Sequence, residues 1–218
     1  MSTIEGRPRG RYHHGDLHRA LVEAGTRLAR EGGPDAVVLR EATRQVGVSA
    51  NAAYRHFADR DALLGAVIME GLAEMARTME AELATVRARN PQTRARARLR
   101  AVGLGYVRFA TAEPGLFRAT FLVPSDLSRA TSPEGRGASG RTPFELLSDA
   151  LDELVEAGVV SAGQRPGAEL LAWSAVHGLA VLAVNGPLRG LAPDVVETTT
   201  DRLLSMVDAG LGFPATVR

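Results

Sequence analysis

The chain has 218 residues, of which 45% are hydrophobic, and it contains no cysteine. This composition excludes disulfides and thiolate metal sites, provides enough apolar material for a buried core, and fits a reducing cytoplasm. The net charge of +1 excludes a uniformly basic nucleic-acid binder, yet the charge is uneven, because residues 1–60 contain ten arginines against seven acidic residues.

The N-terminal segment carries no sign of export or membrane insertion. Residues 1–7 lack an apolar region, and no run approaches the roughly 18 apolar residues that a membrane span needs. We therefore expect a cytoplasmic protein with no membrane partner. Residues 1–14 are basic around Arg7-Pro8-Arg9-Gly10-Arg11 and predict a flexible arm, which either enters a minor groove or is a solvated tail.

Helical periodicity runs through almost the whole chain, and no segment shows sustained alternation of apolar and polar residues. The pattern predicts an all-α protein of about nine helices. The first helix spans about residues 15–30, has apolar residues along one face, and ends at Gly32-Gly33-Pro34. The second helix spans about residues 39–46.

Residues 46–57 predict a tight turn between two helices. Gly47 can take the left-handed conformation that closes the second helix, and Ser49 can accept hydrogen bonds from the N–H groups that open a third helix over residues 50–56. Ala53 and Phe57 are four residues apart and face inward, so small and polar side chains cover the outer face. That face suits a DNA groove; the alternative is an ordinary helical corner with a polar outer face.

A long helix follows this turn. Asp59-Arg60-Asp61 is a start signal, and the apolar stripe from Leu64 to Val86 recurs at helical spacing for about six turns. We expect this fourth helix to end near Arg89-Asn90-Pro91.

The fifth predicted helix carries Leu99 and Phe109 and is interrupted at Glu113-Pro114, before a short aromatic helix. Residues 124–143 are rich in serine, glycine, proline and threonine and predict a mobile surface loop. Three glycines of this loop match G-x-G-x-x-G, but no strand precedes them, so the geometry of a nucleotide-binding site is missing.

Three further helices are predicted, at about residues 144–158, 166–184 and 193–211. The helix at 166–184 is apolar on nearly all sides and has to be covered on every side. A single chain of this size is not expected to cover both of the last two helices fully. A partner subunit is therefore the economical explanation.

Residues 47–63 contain G-V-S-A-N-A-A-Y-R-H-F followed by D-R-D-A-L, which resembles the signature of the TetR/AcrR family of transcriptional regulators. The chain departs from that signature at Ala53, where a larger apolar residue is usual, and at Arg60, where lysine is common. Segments 12–17 and 173–178 resemble the subgroup whose C-terminal part is called the WHG domain.

The resemblance implies a three-helix DNA-binding domain, here residues 15–60, and a helical bundle for ligand binding and dimerisation, here residues 61–218. It also implies repression that a small molecule relieves. We therefore expect a dimeric repressor that binds double-stranded palindromic DNA and is released by a small apolar effector. The alternative is a helical small-molecule-binding protein or enzyme that only resembles a regulator.

Residue roles at the expected DNA surface follow from family position and chemistry together. Arg40 either reads guanine with its bidentate fork or forms an ion pair with Glu41 or Glu31. Tyrosine and histidine side chains of the third helix are placed for phosphate contact, and Arg60 lies at the positive N-terminal end of the fourth helix. The expected DNA contacts are Arg40, Ser49, Ala50, Asn51, Ala52, Tyr54, Arg55, His56 and Arg60.

The inward stripes of residues 61–218 are aromatic and carry few charges. They predict a cavity for a largely apolar, uncharged effector, with a well-packed core as the alternative. The expected lining residues are Met75, Met79, Tyr106, Phe109, Phe117, Phe121, Trp173 and His177. The last two helices predict a four-helix bundle between subunits. Its expected contact residues are Ala175, Gly178, Leu182, Val196, Leu203 and Met206.

Catalytic and metal sites are not expected. His14 and His18 are four residues apart but lack a third ligand at a recognisable spacing. Ser174 and His177 are one helical turn apart, but neither a strand-turn-helix context nor an oriented carboxylate accompanies them. We therefore predict a protein that is not an enzyme and needs no cofactor.

Overall fold

The computed structural model describes residues 14–124 and 127–211. Within these ranges the protein consists of ten α-helices and three short 3₁₀ turns, with no strand, so the all-α prediction is confirmed. The helices are α1 (His14–Gly32), α2 (Leu39–Val46), α3 (Ala50–Tyr54), α4 (Arg60–Leu83), α5 (Pro91–Ala112), α6 (Pro114–Phe121), α7 (Leu127–Ala130), α8 (Pro143–Glu156), α9 (Ala168–Asn185) and α10 (Pro193–Leu211). The 3₁₀ turns are Pro34–Ala36, Pro133–Gly135 and Ala162–Gln164.

Side-chain caps fix the start of several helices. Asp59 accepts a hydrogen bond from the N–H of Ala62 at 2.8 Å, which confirms the predicted start of α4. Thr142 and Glu145 form a capping box at the start of α8, in which each side chain accepts a hydrogen bond from the other residue's N–H. These caps satisfy N–H groups that the first turn of a helix leaves without an intrahelical partner.

The end of α4 differs from the prediction. The helix ends at Leu83, and Val86, expected to continue its apolar stripe, lies half-buried in the connection to α5. Asn90 and Pro91 open α5 instead of closing α4, because the Asn90 side chain accepts the N–H of Thr93 at 3.0 Å. Proline suits the first position of a helix, where its missing N–H would have no partner in any case.

α4 is the central helix of the fold. It packs most extensively against α5 and also contacts α1, α6 and α8. The apolar face of α1, which includes Leu21 and Ala24, closes on one end of α4 and is fully buried. One uninterrupted helix therefore contributes to the core at both ends of the molecule.

The segment between α6 and α8 is not the open surface loop that its composition predicts. It contains α7 and a 3₁₀ turn, and it lies against α4. The Glu80 carboxylate of α4 accepts hydrogen bonds from the N–H groups of Ala138 and Ser139, at 2.9 and 2.8 Å. Gly135 is buried where a Cβ would come within 2.9 Å of the Leu72 side chain, so its lack of a side chain permits close packing.

Much of α9 is uncovered within one chain. The helix is long and apolar enough to cross a membrane by length and composition alone, with a mean hydropathy of 1.4, although Glu169, Ser174 and His177 interrupt its apolar residues. Core helices of soluble proteins pass the same test. Only 28% of α9 is buried within the chain, and the Leu171 side chain is 68% exposed.

Candidate functional site

The turn between α2 and α3 has the predicted construction. Gly47 has a φ of 75° and closes α2, where its N–H donates to the carbonyl oxygen of Thr43 at 2.9 Å. The Ser49 hydroxyl oxygen accepts the N–H of Ala52 at 3.3 Å. These two contacts fix the angle between α2 and α3 and therefore which face of α3 is exposed.

α3 and the turn after it bury two side chains, one in the helix and one in the turn, and expose several others. Ala53 and Phe57 are 0% and 4% exposed, as predicted, whereas Tyr54 is 56% exposed. The predicted DNA contacts that are exposed here are Ser49, Ala50, Asn51, Tyr54 and Arg55. The structure thus leaves five of the nine expected contacts exposed in or directly beside α3.

His56 lies in the turn after α3, because the helix ends at Tyr54 and not at residue 56. The N–H groups of His56 and Phe57 both donate to the carbonyl oxygen of Ala53, at 2.9 Å each, which tightens the chain. The half-buried imidazole of His56 faces the ring of His18 edge-on, with the centroids 6.2 Å apart. Ala52 is also half-buried.

Arg40 is exposed in the first turn of α2 and forms no ion pair with any described residue. The neighbouring Glu41 is bound instead by Arg44, with an N–O distance of 2.5 Å, and this hydrogen bond lowers the pKa of the Glu41 carboxyl. The alternative of an ion pair between Arg40 and Glu41 or Glu31 is therefore not realised. The Arg40 guanidinium is available to an external partner.

Arg60 contacts the turn that follows α1. Its Nη2 donates to the carbonyl oxygen of Pro34 at 2.6 Å, and the carboxylates of Asp35 and Asp61 lie 3.9 and 3.4 Å from its guanidinium. The side chain is 39% exposed. If Arg60 contacts a phosphate, the same guanidinium also has to serve these intramolecular contacts.

The predicted basic arm lies outside the described residues, except for its last residue, which begins α1. In the described ranges, no group of three or more histidine, aspartate or glutamate side chains could hold a metal ion.

A cavity of about 310 Å³ lies among α4, α5, α8, α9 and α10, and we call it the bundle cavity. Five of the eight predicted ligand residues line it: Met75, Met79, Tyr106, Phe121 and Trp173. It is also lined by residues that the sequence did not single out, among them Leu72, Phe144, Leu147, Val176 and Leu204. The sequence shows the apolar stripes of these helices. It does not show which of the stripes leave a gap between them in the folded protein.

The charged residues that border the bundle cavity are paired. Nη1 of Arg96 lies 2.5 Å from Oδ2 of Asp208, and Arg100 forms an ion pair with Asp201. Because these charges neutralise one another, the remaining surface of the cavity is predominantly apolar.

Three predicted ligand residues do not line this cavity. Phe109 and Phe117 are 2% and 0% exposed and lie in the hydrophobic core, so the structure places them as packing residues. Their helical spacing predicted an inward position correctly, but an inward position alone does not distinguish core from cavity. His177 is half-buried and lies behind Tyr106.

A short chain of hydrogen bonds connects α5 and α9. The Tyr106 hydroxyl lies 2.7 Å from Nδ1 of His177 and accepts the indole N–H of Trp173 at 3.4 Å. Burial raises the pKa of Tyr106 far above its ordinary value of 10, and burial lowers the pKa of His177. Both groups are therefore neutral at pH 7.

The predicted dimer residues lie along α9 and α10. Two of them are exposed apolar side chains, Leu182 at 43% and Met206 at 69%. The other four are half-buried: Ala175, Gly178, Val196 and Leu203. The exposed pair continues the uncovered face of α9 onto α10.

Two protein-family models match the chain. Residues 21–67 match the model described as "Bacterial regulatory proteins, tetR family", and residues 99–207 match "Tetracyclin repressor-like, C-terminal domain". Among curated proteins no match was found.

Several solved structures are similar over nearly the full length. A protein of unknown function from Rhodococcus sp. RHA1 is 29% identical, with a TM-score of 0.71 over 93% of this chain and 98% of that one. A TetR-family transcriptional regulator from Pectobacterium atrosepticum is 20% identical, with a TM-score of 0.59 over 93% and 94%. The TetR family transcriptional regulator PfmR from Thermus thermophilus is 22% identical, with a TM-score of 0.51 over 85% and 94%. The last two share the fold.

Proposed function

The chain belongs to the TetR family of bacterial regulatory proteins and is a DNA-binding transcriptional regulator; from this premise we propose that it is a dimeric repressor, released from a palindromic operator by a small, largely apolar effector. The observation that carries the proposal is the course of α4. This helix begins beside the exposed surface of α3, and its Met75 and Met79 line the bundle cavity. One helix therefore joins the two proposed binding sites.

The proposed DNA contacts divide into two kinds. Tyr54, His56 and Arg60 hold phosphates, which positions the protein without reading sequence. Arg40 and Asn51 read base edges as α3 enters the major groove, and Ala52 meets a thymine methyl group in the same groove. Because these side chains offer few base contacts, the shape of the duplex and bridging water share in the specificity. Such a protein acts in the cytoplasm, where the DNA is.

The proposed dimer places α9 and α10 of one subunit against the same helices of its partner. The exposed apolar side chains of these helices, which include Leu182 and Met206, support this arrangement. A two-fold axis between the subunits presents two copies of α3 to successive major grooves, which matches a palindromic site.

The proposed effector binds in the bundle cavity within residues 61–218 and acts on residues 15–60. A ligand shifts an equilibrium only by its differential affinity for the two states. Its contacts with Met75 and Met79 must therefore differ between the DNA-bound and released positions of α4. The spacing of the two DNA-binding domains changes with that position.

Binding to duplex DNA tests the regulator against the alternative of a helical carrier or enzyme. A palindromic duplex is selected from random sequences, and its dissociation constant is measured by fluorescence anisotropy at several salt concentrations. A regulator binds the selected duplex far more tightly than an unrelated one, and its logarithmic affinity falls linearly with the logarithm of the salt concentration. The absence of any salt-dependent, sequence-selective binding would favour the carrier or enzyme.

The Arg60→Ala variant tests the phosphate assignment. We expect weaker binding to all duplexes alike and a salt slope that is smaller by about one. Arg89→Ala is the matched control, because Arg89 is exposed in the connection between α4 and α5. Since Arg60 also donates to Pro34, thermal unfolding of the variant verifies that the domain is intact. An unchanged salt slope in a folded Arg60→Ala protein would remove this contact.

A further inference from the structure

A second cavity of about 420 Å³ lies beside the bundle cavity, bordered by α6, α7 and α9, and we call it the α7 cavity. The two cavities have a common wall. Four residues line both of them: Leu72, Phe121, Ala130 and Trp173. A single ligand that passes this wall would contact both cavities.

Hydrogen-bond donors dominate the polar lining of the α7 cavity. Its polar residues are Thr120, Arg129, Ser174 and His177, and no described residue that lines it is acidic. The Thr120 hydroxyl already donates to the carbonyl oxygen of Leu116 at 2.8 Å. Arg129, Ser174 and His177 are left to meet a ligand.

Arg129 supplies the positive charge. Its Nη1 is buried without a hydrogen-bond partner, and its guanidinium forms no ion pair with any described residue. The Arg129 side chain as a whole is half-buried, but a buried N–H donor without a partner is unfavourable, and a bound acceptor removes this cost. A carboxylate fits best, because it accepts two parallel N–H···O bonds from one guanidinium.

His177 supplies a second donor. The Trp173 indole can only donate, so its contact with Tyr106 leaves the Tyr106 O–H free to donate in turn to Nδ1 of His177. Because burial lowers the pKa of His177, the ring is neutral and its one proton lies on Nε2. The hydrogen-bond chain therefore ends in an N–H on a residue that lines the α7 cavity.

The bundle cavity has the opposite preference. The charged side chains that border it, Arg96, Arg100 and Asp208, are already held in ion pairs, and Oδ1 of Asp208 is buried without a hydrogen-bond partner, so this cavity offers a carboxylate no unpaired cation. The rest of its surface is predominantly apolar and suits a hydrocarbon body. An amphipathic acid is thus oriented with its carboxylate in the α7 cavity and its apolar body in the bundle cavity.

We propose that the effector is an amphipathic molecule with one carboxylate, which Arg129 and His177 bind in the α7 cavity while its apolar body extends past Trp173 into the bundle cavity. This inference rests on the proposed effector function. The sequence predicted an uncharged effector because no inward cation was apparent. Arg129 was not considered as an inward cation, because the composition of its segment predicted a surface loop.

Straight-chain acids and their alcohols are suitable probes. Trp173 is the only tryptophan in the chain and lies in the common wall, so its fluorescence reports occupancy directly. Octanoate, decanoate and dodecanoate are titrated at pH 7.5, below their micelle concentrations and without DNA, against the alcohols of equal length. We expect at least one acid to bind saturably and about ten-fold or more tighter than its alcohol, as charge-assisted hydrogen bonds require.

The variants Arg129→Gln and Arg129→Met test whether Arg129 binds the carboxylate. Both variants should bind the acid no more tightly than the alcohol, while the affinity for the alcohol stays the same. Both should melt no lower than the parent, because each removes an Nη1 group that is buried without a hydrogen-bond partner. Arg89→Gln, an exposed arginine in the connection between α4 and α5, should keep the full preference for the acid.

Three results would overturn the inference: equal affinity for acid and alcohol, no saturable binding of any acid, or a preference that persists when Arg129 is replaced. Duplex binding separates these failures from a failure of the proposed function. A parent protein that binds its selected duplex but shows no preference for acids remains a regulator without this carboxylate site. A parent protein that binds acids but no duplex is a carrier.

Discussion

At the scale of single residues, the sharpest contrast lies between two arginines of α2. Arg44 is held by Glu41, whereas Arg40, one turn earlier, has no ion-pair partner among the described residues. We predict that Arg40→Ala changes the base preference at one operator position by about 1–3 kcal/mol, since a bidentate contact to guanine is lost. Competition between the selected duplex and its single-position variants measures this change.

The salt slope should stay nearly constant in Arg40→Ala, in contrast to Arg60→Ala, because a contact to a base neutralises no phosphate. A uniform loss of affinity across all duplex variants would assign Arg40 to the backbone instead.

His177 makes stability depend on pH. Burial lowers its pKa in the folded protein, while the unfolded chain titrates near pH 6.5. Between these two values the unfolded chain binds more protons, so the free energy of unfolding rises with pH. The contribution is complete above about pH 6.5 and is lost as the pH falls toward the lower, folded value.

Urea denaturation at about pH 7.5 and pH 5.5 measures this loss, and NMR titration of the imidazole gives the pKa directly. His177→Gln is the control, because glutamine cannot be protonated in this range and should be less sensitive to acid. A His177 pKa at or above 6.5 in the folded protein would contradict the prediction.

At the scale of elements, we predict that replacing two helical glycines with alanine changes the stability of the protein in opposite directions. A Cβ at Gly105 of α5 would lie 2.6 Å from the Cα of Met79, so Gly105→Ala forces α4 and α5 apart and should cost about 1–3 kcal/mol. A Cβ at Gly65 of α4 meets nothing within 4 Å, and Gly65→Ala should stabilise the protein by about 0.5–1 kcal/mol through helix propensity. Chemical denaturation of both variants checks the signs, and equal effects would contradict the packing.

The elements that could be predicted from the sequence are those with a local cause. Gly47, Ser49 and Asp59 act through their own backbone neighbourhood, and the helix ends that they cap are found where expected. The folded segment after α6 was missed because its contact with α4 uses backbone N–H groups bound by Glu80, which leave no trace in hydrophobic periodicity.

The candidate sites also differ in whether a local pattern in the sequence predicts them. The exposed face of α3 follows from helical spacing, so Tyr54 and Asn51 were placed correctly on the surface. The cavity depends on where stripes from five helices fail to meet, and spacing cannot distinguish Phe109, which is core, from Phe121, which lines the cavity. Arg129 was missed because the partial burial of its side chain arises from the fold alone.

At the scale of the whole molecule, Met206 is the cleaner probe of subunit association. It is 69% exposed within one chain, whereas Leu203 is half-buried and packs against the chain's own core. We predict that Met206→Arg gives folded monomers, because the arginine would lie unpaired between apolar helices of two subunits. Analytical ultracentrifugation measures the mass, and the monomers should no longer bind a full palindrome.

Arg202→Ala on the same helix is the control, because Arg202 is already exposed and polar. A parent protein that sediments as a monomer at micromolar concentration would contradict the proposed interface, as would a Met206→Arg protein that remains dimeric.

Because one face of α9 is uncovered in a single chain, we expect both stability and DNA binding to depend on the protein concentration. When a second copy covers this face, folding and association are linked by mass action, so the thermal midpoint rises with protein concentration. Where most chains are single and the operator is far from saturated, its occupancy follows the square of the chain concentration. Halving expression then lowers occupancy about fourfold, even with no effector present. A regulator that dimerises through this exposed hydrophobic surface is therefore expected to respond to its own abundance.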